Sequence, residues 1–111
     1  MSFKKYPWYR FQRWLNQQPD GAIAGYDDPN YNVISKFLEH KVGGFFYISN
    51  EMIAYSMSQH IVVSHNIVPI WVRMLIVQIS LLSQNSSYQY RTVKKALKLV
   101  SKELREQQRG G

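Results

Sequence analysis

FFYISNEMIAYS, residues 45–56, decides the fold class of this chain. Two runs rich in aromatic and β-branched residues, FFYIS and MIAYS, flank Asn50-Glu51, and two such runs around a polar pair predict a β-hairpin with a two-residue turn. A hairpin alone is marginal in water, so it needs a third strand or a packed helix. HIVVS, residues 60–64, supplies the candidate third strand, and the flanking sequence supplies helices.

Upstream, DDPNYNVISKFLEHKVGG (27–44) opens with Asp28 as a predicted N-cap and Pro29 at the first helical position, and it stops at Gly43-Gly44. Tyr31, Val33, Ile34, Phe37 and Leu38 fall on one side of its wheel, and Asn32, Lys36, Glu39 and His40 on the other. Further upstream, YPWYRFQRWLNQQP (6–19) places Trp8, Phe11 and Leu15 at helical spacing after Pro7, with Arg10, Arg13 and Gln17 opposite. AIAGY, residues 22–26, reads as a short buried strand.

Downstream, IVPIWVRMLIVQISLLSQ (67–84) predicts a helix from Pro69 that is apolar almost all round, with Arg73 and Ser80 on a narrow polar strip, and such a helix belongs in a core. The last helix, Tyr90 to Gln107, is two-sided. Val93, Ala96, Leu97, Val100 and Leu104 gather within a third of the wheel, and Arg91, Lys94, Lys95, Lys98, Lys102 and Arg105 fill the opposite arc. The order predicts an α+β fold: a small antiparallel sheet of two or three strands packed against about four helices. Residues 1–107 form a single domain in this reading, and 108–111 a flexible tail.

Composition limits the chemistry. There is no cysteine, which removes disulfides, thiolate metal sites and cysteine nucleophiles. The N-terminus MSFKKYPWYRF lacks the uninterrupted apolar run of a signal peptide. Ile67 to Leu82, the most apolar segment, contains Arg73 and Gln78 and falls short of the ~20 residues that span a bilayer. The expected location is cytoplasmic, with no membrane partner.

The net charge of +7 is unevenly spread. Residues 1–13 carry four cations and no acid, residues 14–90 three cations and five acids, and residues 91–111 seven cations and two acids. Basic ends on a neutral-to-acidic body suit a polyanionic partner. Six cations on one helical arc can meet several phosphates at once, with release of counterions. Arg91, Lys94, Lys95, Lys98, Lys102 and Arg105 are therefore the primary candidates for nucleic-acid phosphate contacts, with Arg10 and Arg13 next. A solvated helix face is the competing reading, although such faces usually interleave Glu with Lys. Tyr6 and Tyr9 are candidate stacking rings, and Tyr88 with Tyr90 are either a second stacking pair or the anchor of a loop.

The remaining signals are weak. His60 and His65 are five apart in an extended stretch, which aims them at opposite faces. Asp27-Asp28 reads as a turn and cap, and neither GAIAG nor VGG has the pattern of a phosphate loop. Nothing marks out Ser58 or Ser64 as a nucleophile. The expectation is a non-enzymatic binding protein with no cofactor and no metal. The alternative is an adaptor or regulator that binds an acidic protein surface, a homodimer included, because the apolar helix and the Tyr and Trp content offer more hydrophobic surface than one small core needs.

Overall fold

The computed structural model describes residues 5–57, 60–64 and 68–109. The elements follow the order α1 (Trp8–Asn16), β1 (Ile23–Tyr26), α2 (Val33–Val42), β2 (Phe45–Ile48), β3 (Ile53–Met57), β4 (His60–Ser64), α3 (Ile70–Leu82), β5 (Ser87–Gln89) and α4 (Tyr90–Arg109). The fold is α+β. A Cα radius of gyration of 13.7 Å is close to the value of about 13 Å for one compact body of this length.

The strands divide between two antiparallel sheets rather than one. β2, β3 and β4 form a meander in which Phe46 faces Tyr55 and Tyr55 faces Val62. β1 pairs instead with β5, a strand that the sequence does not announce because three residues are too few for an alternation pattern. The hairpin keeps the register of a turn at Asn50-Glu51: the last β2–β3 ladder pair is Ile48 with Ile53, and Ser49 N–H donates to Met52 O at 3.1 Å across the two turn residues. The Ser49 hydroxyl accepts from the backbone N–H groups of Glu51 and Met52 and takes over the role that a tight glycine turn would have played.

α2 starts later than expected. Its N-cap is Asn32, whose Oδ1 accepts from Ser35 N–H at 2.9 Å and whose Nδ2 donates to the Ile48 carbonyl at 2.8 Å. Asp28 caps only a turn, accepting from Asn30 N–H at 2.8 Å. The N-cap moved because Asn32 both closes the helix and ties it to β2, which Asp28 does not do. Tyr31 accordingly lies before the helix and is exposed, while Asn32 is buried. The helix ends as expected, with Gly43 and Gly44 at positive φ.

The core joins all four helices. Phe11 of α1 meets Phe37 of α2 edge-on at 5.2 Å and Trp71 of α3 at 5.4 Å, and Trp14 reaches Phe37 and Tyr90. Phe46, Ile48 and Ile53 bring the meander into the same cluster. α3 is not wholly enclosed: Trp71, Val72, Leu75 and Ile79 are buried, but Ile70, Val77 and Leu81 are exposed. A domain this small cannot surround a helix on every side. The helix packs against α4 and leaves its outer stripe uncovered by the described residues.

Candidate nucleic-acid interface

α4 presents the arc expected of it. Val93, Ala96, Leu97 and Val100 are buried and Leu104 packs half-buried against the core, which turns the cationic positions outward. Its N-terminus is fixed to the loop before β1, since Tyr90 N–H donates to Ala22 O and Arg91 N–H to Asp20 O, both at 3.0 Å. Near its far end the Arg105 guanidinium lies over the Trp8 ring, 5.7 Å from the centroid. Contacts at Gln18 and Asp20 with Lys94, and at Trp8 with Arg105, make α1 and α4 antiparallel neighbours.

The six arc cations are not equivalent. Lys94 Nζ sits 2.6 Å from Asp20 Oδ1 and 2.7 Å from the Gln18 carbonyl, which occupies it within the fold. The Lys94 hydrogen bond and charge, with a contribution from Arg91, hold the Asp20 carboxyl below its usual range. This is the one ion pair among the described residues. Arg91, Lys95, Lys98 and Lys102 are exposed and form no ion pair among the described residues, although the Arg91 charge acts on the Asp20 carboxyl. They recur at i, i+4, i+7 and i+11, a straight stripe about 16 Å long.

On α1, Arg10 lies over the Tyr6 ring and donates to the Lys5 carbonyl, and Arg13 is exposed. Both line a small cleft of about 90 Å³ together with Trp14, Gln17 and Lys41 of α2. Lys41 is the cation that sequence reading missed. It stands in the last turn of another helix, and no periodicity within one segment reveals a neighbour across two. Lys36 is exposed and lies along the surface, with its ammonium over the Tyr90 ring and 3.3 Å from the Ile23 carbonyl.

Of the candidate stacking rings, Tyr9 is exposed, and Tyr6 is half-buried against the edge of Phe37. Tyr88 and Tyr90 are buried and are corrected to core residues. β5 accounts for this: pairing with β1 turns Tyr88 inward, where its hydroxyl accepts from Val33 N–H at 3.0 Å. His40 is exposed beside Trp14, while the His60 side chain and His65, with Ser58, Gly110 and Gly111, lie outside the described residues. The described residues contain no group of three or more His, Asp or Glu arranged for a metal and no helix long and apolar enough to cross a membrane. α4 extends through Arg109, two residues beyond the expected end of the domain.

Comparison with protein-family models, with curated proteins and with solved structures gives no match.

Proposed function

We propose that this protein docks on the phosphate backbone of nucleic acid through the stripe Arg91, Lys95, Lys98 and Lys102, with Arg105, Arg10 and Arg13 alongside it. The observation that supports this reading is that no residue of the stripe is held in an ion pair among the described residues, while Lys94, one turn from Lys98, is. A row of unpaired cations on a rigid helix meets a polyanion without first breaking ion pairs, and counterion release favours the complex. Lysine contacts to phosphate position a protein without reading bases, so binding is expected to be indifferent to sequence.

The test is fluorescence anisotropy with labelled single-stranded and duplex oligonucleotides, comparing the wild type with Lys95→Glu, Lys98→Glu, Lys102→Glu. All three side chains are exposed, so the variant keeps its fold. Salt-sensitive binding by the wild type that the variant loses is the expected result. No binding by the wild type at low salt contradicts the reading.

A second reading, an adaptor or regulator that binds another protein, rests on α3. Ile70, Val77 and Leu81 are exposed at i, i+7 and i+11 on its outer side, a spacing that suits a helix–helix seam, while Met74 between them is partly buried against the core. A concentration-dependent dimer that ignores nucleic acid would favour this reading over the first.

A further inference from the structure

A cleft of about 480 Å³, unrelated to the α4 stripe, opens between the β1–β5 pair, the N-terminus of α2, the β2–β3 turn and the C-terminal half of α3. Its volume falls within the range of small-molecule sites, about 300–1,000 Å³. Tyr26, Pro29, Ile76 and Ile79 supply the accessible apolar wall, with Val33, Ile34 and Ile48 buried behind it, and serines and amides, among them Asn50 and Gln84, supply polar groups.

Two further features point to what the cleft accepts. The first is rigidity: Ile48 N–H donates to Pro29 O at 2.9 Å, Asn32 Nδ2 to Ile48 O at 2.8 Å, Val33 N–H to Tyr88 Oη at 3.0 Å and Asp27 N–H to Ser86 O at 2.8 Å. These bonds cross between the lining segments, so the cavity is held open by the fold itself. The second is charge. The ionised residues that line the cleft are Asp27 and Asp28, with no Lys, Arg or His among them, on a chain whose net charge is +7. The Asp27 charge is felt at the Tyr88 hydroxyl on the cleft wall, where it adds to the effect of burial.

We propose that this cleft binds a small organic cation, with the apolar body of the ligand against Tyr26, Pro29, Ile76 and Ile79 and its ammonium group at Asp27 and Asp28. An anion would meet two carboxylates with no compensating cation, and a neutral apolar molecule would leave both charges unused. Asp27 is exposed and Asp28 half-buried, and an ammonium contact with two such carboxylates separates these classes by several-fold, up to about tenfold, in affinity. The site is independent of the nucleic-acid reading, because none of its lining residues belongs to α4.

Phenethylamine, phenethyl alcohol and phenylacetate share one apolar body and differ in charge. Titrated into the full chain and followed by amide NMR shifts, the amine is expected to bind several-fold, up to about tenfold, tighter than the alcohol, with phenylacetate weakest. The shifts should map to Tyr26, Ile76, Ile79 and Ser83. In Asp27→Asn, Asp28→Asn the amine should fall to the level of the alcohol. An asparagine at 28 keeps the Oδ1 acceptor that holds Asn30 N–H, so the turn survives the change. Amine binding should also survive in Lys95→Glu, Lys98→Glu, Lys102→Glu, which separates this result from failure of the nucleic-acid reading. Equal affinity for all three compounds, no shift with any of them at millimolar concentration, shifts that map elsewhere, or binding of a lysine-rich peptide but not of the amine would overturn the proposal.

Discussion

Tyr88 shows how one side chain sets the local architecture. Its ring is buried, its hydroxyl accepts from the first amide of α2, and burial chiefly pushes its pKa up to about 12. Gly25 lies against that contact. A Cβ there would come within 2.8 Å of both Tyr88 Oη and Val33 N, and the second is backbone that cannot step aside. Gly25→Ala is therefore expected to destabilise the protein by about 1–3 kcal/mol in chemical denaturation, and a neutral effect would refute the close approach. The tyrosine also has a pH signature. A folded-state pKa raised from 10.0 to about 12 favours the protonated form in the fold, so its contribution is complete below pH 10 and is lost as pH rises toward 12. Between those limits the wild type should lose about 2–3 kcal/mol more stability than Tyr88→Phe. Parallel alkaline denaturation profiles would rule this out.

At the scale of elements, α3 and α4 look alike in the sequence as strong helices but carry different surfaces. On α4 the apolar third and the cationic arc are separated, and the fold uses that separation directly. On α3 the apolar residues run all round, and composition alone does not tell which of them the core will take. The structure selects Trp71, Val72, Leu75 and Ile79 and leaves Ile70, Val77 and Leu81 outside. Val77→Asp, Leu81→Asp should consequently change stability by no more than about 1 kcal/mol, whereas a large loss would mean that a second copy normally covers the stripe. Element type was legible for four helices and the meander because their periods are long or their residues β-branched. β5 was not legible, nor was the division into two sheets, because both depend on a pairing 61 to 66 residues distant in the chain, more than half its length. The N-cap of α2 was misplaced for the same kind of reason: Asn32 is chosen by its bond to Ile48, sixteen residues on. The cationic positions on α4 could be read from the helix alone, but the capture of Lys94 by Asp20 could not, since it joins residues 74 apart. Lys98→Ala should then lower the salt slope of nucleic-acid binding by about one, while Lys94→Ala leaves it nearly unchanged.

For the molecule as a whole, charge is arranged rather than merely abundant. Most of the cations stand at the chain's two ends, and α1 and α4 bring described parts of those ends side by side as antiparallel neighbours. Of the acids of the middle segment, Asp20 sits at the start of α4 paired with Lys94, and Asp27 and Asp28 line the cleft between β1–β5 and α3. Such a division would steer a polyanion, the partner proposed above, toward one side of the protein. The most direct test of this account is the slope of log Kd against log salt for a duplex oligonucleotide, measured with the wild type. Four phosphate contacts along Arg91, Lys95, Lys98 and Lys102 predict a magnitude of about 3 to 4, that is, roughly a hundredfold weaker binding between 50 and 200 mM salt. A slope near zero, or no measurable binding at the lower salt concentration, would contradict the central claim and leave the α4 stripe a solvated helix face.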